Sequence, residues 1–217
     1  MFDSALARRM MVDGQVRTAD VHNPELVAAM LELPRERFVP QRLTEQAYVD
    51  GELDLGNGRA MLAPMVLAKL IDAAQLTGAE HVLDVGCGLG YSSAVLARLA
   101  ASVVALEEDA DLARQAKATL AGSGVSGVTA VQGALAAGWP GAAPYDFILL
   151  NGATEIVPDA LGHQLKPGGR LACIYGRAPA TKATLFRLAE GRLVGRPIFD
   201  AAAVPLPGFR AAPTFVF

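Results

Sequence analysis

Val82-Leu83-Asp84-Val85-Gly86-Cys87-Gly88-Leu89-Gly90-Tyr91-Ser92-Ser93 is the stretch on which the fold turns. The apolar run His81–Val85 has the length of a buried strand, and three glycines at alternate positions separate it from a helix over Tyr91–Ala100. Glycine lets the backbone turn sharply and approach a ligand where a side chain would collide. Alone, such a turn is equally a tight strand-to-helix connection. The downstream pattern repeats it. Ser102–Leu106 is a second strand, and Asp109 caps a helix that carries Leu112, Ala116 and Leu120 to Gly122. Val128–Gln132 and Phe147–Leu150 are further strands, followed by a short helix over Pro158–Leu165. Pro167-Gly168-Gly169 turns into a strand over Arg170–Tyr175, and the tail Thr184–Phe217 reads as antiparallel strands. Alternating strands and helices imply a parallel sheet covered on both faces, with ligands at the carboxyl ends of its strands.

Upstream the texture changes. Residues 1–78 read as a helical and loop extension, and residues 79–217 as the α/β sheet region of a single domain spanning 1–217. Asn23-Pro24-Glu25 opens a helix to about Leu33, which Pro34 ends. Pro40 and Gly51 keep the next stretch loop-like. Pro64 opens a helix with Val66, Leu67, Leu70, Ile71 and Ala74 on one face, and Gly78 is expected to close it.

Composition narrows the classes. The 217 residues are 52% hydrophobic and 19% charged, enough for a core and too apolar for a disordered chain. A net charge of −3 argues against a nucleic-acid binder. Charges interrupt every apolar stretch well short of the roughly 20 residues that span a bilayer, and the N-terminus lacks the order of a secretory signal. The expected location is the cytoplasm, where Cys87 and Cys173 stay reduced. His22, His81 and His163 have no ligand spacing, so no metal site is expected.

Two acids give the glycine turn a chemistry. Asp84 lies late in the strand and can accept a hydrogen bond from a ligand ammonium. Glu107 follows Gly86 by 21 residues, where an acid can bind ribose hydroxyls. The dinucleotide fingerprint needs a small third residue near a pyrophosphate, and Tyr91 stands there instead. Ribose, ammonium and no phosphate together point to S-adenosylmethionine. Asn151-Gly152-Ala153 ends a strand at the rim where a substrate would meet that cofactor, and reads equally as a plain polar turn at a strand end. Cys87 has no base beside it in sequence and reads as a small residue whose backbone matters.

The chain resembles the protein-L-isoaspartate O-methyltransferases. Met11-Val12-x-x-Gln15-Val16-Arg17, Leu33-Pro34-Arg35-x-x-Phe38-Val39-Pro40 and Ala47-Tyr48-x-Asp50 are similar to that family's N-terminal blocks. Asp84-x-Gly-x-Gly-x-Gly-Tyr91, Glu107 and Leu165-Lys166-Pro167-Gly168-Gly169 are similar to its cofactor and sheet motifs. The resemblance implies a class I methyltransferase, a Rossmann-like, mostly parallel sheet of seven strands with an N-terminal helical extension. It implies S-adenosylmethionine as donor and a protein or peptide carboxylate, isoaspartyl in damaged proteins, as acceptor. The residues it places at the donor site are Asp84, Gly86, Cys87, Gly88, Gly90, Tyr91, Ser92, Glu107, Glu108, Gly133, Ala134 and Asn151.

Two departures fall at working positions. The family's Gly-Gln-Thr-Ile-Ser run, whose serine is assigned to the acceptor site, is Gly58-Arg59-Ala60-Met61-Leu62 here. Leu62 and Ala60 lack the hydroxyls, so isoaspartyl turnover is expected to be poor. Arg59, in place of the glutamine, is expected as a solvated surface residue; the alternative is a guanidinium fork on an acidic acceptor or on the cofactor carboxylate. The family's Gly-Asp-Gly, whose acid reaches the adenine, is Gly133-Ala134-Leu135. A non-catalytic cofactor-binding protein on the same fold is the main alternative, and a nicotinamide oxidoreductase is disfavoured by Tyr91.

Overall fold

The computed structural model describes residues 2–212. Its N-terminal part opens with α1 (Ser4–Met11), capped by Asp3, whose Oδ1 accepts from the Leu6 amide. A π turn over Val12–Val16 then leads to α2 (Pro24–Glu32). Asn23 caps α2 by accepting from the Glu25 and Leu26 amides, as the Asn-Pro-Glu order predicts. Two 3-10 turns over Arg35–Phe38 and Gln41–Gln46 lead to a small antiparallel hairpin, β1 (Leu53–Gly56) and β2 (Arg59–Met61). The loop-like reading of this stretch is corrected by that hairpin. Asn57 and Gly58 at its tip both have positive φ, 52° and 70°, which the tight hairpin turn demands. Helix α3 (Pro64–Ala74) follows and buries Val66, Leu67, Leu70, Ile71 and Ala74. It ends earlier than Gly78, at Gln75 with φ 53°.

The sheet region alternates as expected: β3 (His81–Val85), α4 (Tyr91–Leu96), β4 (Ser102–Glu107), α5 (Ala110–Gly122), β5 (Val128–Gln132), β6 (Tyr145–Thr154), α6 (Asp159–Gly162) and β7 (Leu165–Arg177). Asp109 caps α5 through the Asp111 and Leu112 amides. Helices α4 and α6 are shorter than their patterns suggest, and β6 and β7 are longer. Pro167-Gly168-Gly169 lies inside β7 and does not precede it. Two antiparallel strands, β8 (Ala180–Ala189) and β9 (Arg192–Asp200), complete the sheet. The tail expectation is thus corrected: its strands end at Asp200, residues 201–212 return across the sheet's rim, and 213–217 lie outside the described residues.

The strand order is β5-β4-β3-β6-β7-β8-β9, with β5, β4, β3, β6 and β7 parallel. The order therefore reverses between β3 and β6, and a crevice at that switch is where such sheets bind ligands. Side-chain alternation then sorts the polar residues. Leu83 and Val85, Val104 and Leu106, and Ile148 and Leu150 face one core layer, with Leu161 and Leu171. Val82, Val103 and Ala105, and Phe147 and Leu149 face the other layer, shared with α3, α4, α5 and the N-terminal helices. Asp84, Glu107 and Asn151 continue that second alternation. Three polar side chains thereby emerge beneath the N-terminal extension at the switch point.

Candidate active site

The glycine loop is tied to the sheet before any ligand arrives. The amides of Gly86 and Cys87 both donate to the Leu106 carbonyl, at 2.8 and 3.1 Å, and the Gly90 amide donates to Cys87 at 2.9 Å. Gly86, Gly88 and Gly90 have φ of 82°, 57° and 98°, a left-handed course that L side chains rarely tolerate. Gly90 is also packed closely by Leu120 of α5.

Asp84 is fully buried. Its Oδ2 accepts from the hydroxyls of Ser92 and Ser93 at 2.6 Å each, while its Oδ1 has no partner. Burial pushes its carboxyl up to about 6; the two serine bonds and Arg59 pull the other way, and the neighbouring Glu107 adds to the rise. Asn151 donates from Nδ2 to the Ser92 hydroxyl at 2.7 Å, and its own Oδ1 is also unpartnered. Buried polar atoms normally find partners, so two orphan oxygens around Ser92 mark a place for a hydrogen-bond donor. Burial pushes the Cys87 thiol well above its usual range, with Asp84 and Glu107 adding to the shift, which suits a residue that serves through its backbone. Arg35 is fully buried, donates to the carbonyls of Ala47 and Leu62, and lies 4.8 Å above the Tyr91 ring. It straps the N-terminal extension onto the start of α4.

Glu107 is saturated. Its Oε2 accepts from the Gly88 amide at 2.8 Å and from Arg59 Nη2 at 2.8 Å. Its Oε1 accepts from Arg59 Nε at 3.2 Å and from the amides of Glu108 and Asp109 at 2.9 and 3.3 Å. Arg59 is only 3% exposed. The solvated-arginine expectation is therefore corrected: the hairpin swings Arg59 inward, and its fork grips a carboxylate of the chain itself.

Three side chains cover the loop. A Cβ at Gly86 would lie 2.7 Å from Arg59 Nη2 and 3.3 Å from Leu206, and one at Gly88 would lie 2.8 Å from Leu55. Leu206 also crowds Gly152, at 2.7 Å from an added Cβ there. What is left is a cavity of about 10 Å³, near the space one water needs. Gly86, Cys87, Gly88, Tyr91, Ser92 and Asn151 line it together with Ala60 and Leu62, so both of these apolar side chains face the glycine loop. Asp84 and Glu107 stand behind that lining. Glu108, Gly133 and Ala134 are not brought to the cavity: Glu108 and Ala134 are exposed, and Gly133 donates to the Glu107 carbonyl beside the Trp139 ring. Leu55, Leu206 and Arg35 carry no sequence signal that marks them as site residues. Asn57-Gly58 is the turn signal that could have found the hairpin, whereas Pro205-Leu206-Pro207 carries no periodic signal.

A glycine loop at the switch point, with one acid beneath it and another closing the adjacent strand, defines the donor-site half of a class I methyltransferase. The comparisons with known proteins give the family. The family model for protein-L-isoaspartate (D-aspartate) O-methyltransferase matches residues 7–208. A protein-L-isoaspartate O-methyltransferase of Methylorubrum extorquens is 41% identical over 94% of this chain and 90% of its own. One from Rhodopseudomonas palustris is 37% identical over 94% and 84%. Among solved structures, a protein-L-isoaspartate O-methyltransferase superposes with a TM-score of 0.80 at 26% identity, over 93% of this chain and 66% of that one. A Plasmodium falciparum structure, described as a putative member in complex with S-adenosyl-L-homocysteine, shares the fold with a TM-score of 0.78 at 16% identity, over 92% and 97%. This chain belongs to the protein-L-isoaspartate O-methyltransferase family.

Among the described residues no group of three His, Cys, Asp or Glu side chains is placed to hold a metal, and no helix is long and apolar enough to cross a membrane.

Proposed function

We propose that this chain transfers the methyl group of S-adenosylmethionine to a carboxylate of a protein or peptide. The observation that carries the reading is the convergence of Asp84, Glu107 and Asn151 on one sheet face beneath the glycine loop. The donor set fits the cofactor's chemistry. The unpartnered Asp84 Oδ1 would take its ammonium, Glu107 its ribose hydroxyls, and the loop backbone its close approach. The cavity is one water in size, so the cofactor needs the cover of Leu55, Arg59 and Leu206 over the loop to give way. When bound, the cofactor supplies an electrophilic methyl on sulfur.

An acceptor carboxylate is ionised at neutral pH, since its unperturbed pKa is about 4. It needs no general base, which accounts for a site without a catalytic triad. What remains for the chain is to align the acceptor and exclude water. Leu62 is 1% exposed, and its carbonyl is pinned by Arg35 at 2.7 Å. The wall that the acceptor meets is thus apolar and stiff. We therefore expect turnover of isoaspartyl peptides, the repair substrate, to be low. A missing hydrogen bond to a charged group, about 1.5–3 kcal/mol, would cost roughly ten- to over a hundredfold in rate. Buried free thiols at Cys87 and Cys173 suit a reducing compartment such as the cytoplasm.

The test is transfer of labelled methyl to an isoaspartyl peptide and to an unmodified cell extract, by the natural protein and by the Leu62→Ser, Ala60→Thr pair. Labelling of extract protein with little peptide turnover, and a gain on the peptide in the double variant, is the expected result. Robust peptide turnover by the natural protein would overturn the acceptor reading. No labelling by either protein would favour a non-catalytic cofactor-binding role.

A further inference from the structure

We infer that Arg59 is a built-in competitor for the ribose-binding acid, and that it sets this protein's affinity for the nucleoside part of its donor and product. The inference rests on the donor-site reading above and goes beyond it, because it concerns a residue on the cover and not one in the cradle.

Glu107 has no oxygen to spare. Five N–H groups converge on its two oxygens, two of them from Arg59. A ribose hydroxyl can reach that carboxylate as a donor only by displacing one of these, and three are backbone amides held by the loop and by the turn after β4. Arg59 is the partner that can move. Its Nη2 also lies 2.7 Å from where a Cβ of Gly86 would be, so it fills the space that glycine leaves open at the loop. The contact therefore blocks both the hydrogen-bonding capacity and the room.

The pair is strongly held. Arg59 and Glu107 are 3% and 0% exposed, with 2.8 Å between Nη2 and Oε2. Separating buried partners leaves two desolvated charges unless each finds a replacement. Neutral hydroxyls replace the guanidinium on Glu107 poorly, so each binding event works against the pair. Arg59 Nη1 has no partner in the closed site, which leaves the fork a free NH2 group to offer a ligand when it turns. The hairpin tip holds Arg59 in reach of Glu107: Asn57 Nδ2 donates to Asp109 Oδ2 at 2.9 Å, beside the α5 cap.

Calorimetric titration with S-adenosylhomocysteine reads the affinity without any need for turnover. Arg59→Gln should bind at least about tenfold tighter than the natural protein. Arg59→Lys, which keeps the charge without the fork, should fall between them. Adding Glu107→Gln to Arg59→Gln should abolish the gain, since the carboxylate that the first substitution frees is the group that takes the ribose hydroxyls. Thermal melts with and without ligand run alongside, and a larger ligand-induced rise in Tm for Arg59→Gln is expected. If Arg59→Gln does not fold, the lysine variant carries the comparison. Equal or weaker binding by the folded Arg59 variants would overturn the inference and leave the donor site standing. Binding by no variant and not by the natural protein would overturn the donor-site reading, and the inference with it.

Discussion

The cradle and its cover obey different physics. The cradle is made by the sheet: alternation along β3, β4 and β6 puts Asp84, Glu107 and Asn151 on one face, and the left-handed glycines carry the chain over them. The cover comes from elsewhere in the chain, with Leu55 and Arg59 on the hairpin and Leu206 on the returning tail. The cradle brings buried polar groups to one place, with unpartnered oxygens on Asp84 and Asn151. The cover is apolar at Ala60 and Leu62 and carries a buried cation at Arg59. The sheet thus fixes the polar groups, while segments from elsewhere in the chain set how much room lies above them.

Breaking the link between the two regions should have the largest effect. Glu107→Ala removes the carboxylate that joins them and leaves the Arg59 guanidinium buried without its partner. Loss of one partner of a buried pair costs about 3–5 kcal/mol, so denaturant unfolding should show a fall of that size, and S-adenosylhomocysteine binding should disappear. Retained binding would place the ribose elsewhere.

A change within the cradle should act oppositely on stability. Asp84 is held with its carboxyl raised to about 6 from 3.8. The native state therefore binds the proton more tightly than the unfolded chain. The stability this gives is complete below about pH 4 and is lost as pH rises through 6. Asp84→Asn escapes that loss. It should match the parent in stability near pH 4 and exceed it by up to about 3 kcal/mol at pH 8, while binding the donor more weakly because the ammonium loses its anion. A pH-independent difference between the two proteins would show that Asp84 is not held against its desolvation.

The smallest effect should come from the cover alone. Leu206 is 2% exposed and closes the rim at Gly86 and Gly152. Leu206→Ala should lower stability by about 2 kcal/mol, yet leave S-adenosylhomocysteine affinity equal to the parent's or higher. A parallel loss of affinity would make Leu206 part of the cradle.

The same division separates what the sequence made legible from what it hid. Val128–Gln132 and His81–Val85 match their strands end to end, and Asn23 and Asp109 cap the helices they announce. These are local signals of periodicity, capping and glycine spacing. Asp84 and Glu107 followed from their distance to the glycines along adjacent parallel strands. The inward turn of Arg59 did not, because an arginine in a polar stretch has no local reason to be buried. Its burial depends on a partner 48 residues away. The hairpin was signalled by Asn57-Gly58 between short apolar runs, a cue overshadowed by the surrounding glycines and prolines. Leu206 sits between two prolines, and its place over the loop depends on the tail returning to pair with Ala153.

The most direct measurement is a crystal structure of the natural protein with S-adenosylhomocysteine bound. In that complex the ribose hydroxyls should lie on Glu107, the ligand ammonium on Asp84, and the Arg59 guanidinium should be withdrawn from both Glu107 oxygens. A complex in which Arg59 still grips Glu107 while the nucleoside lies elsewhere would contradict this arrangement.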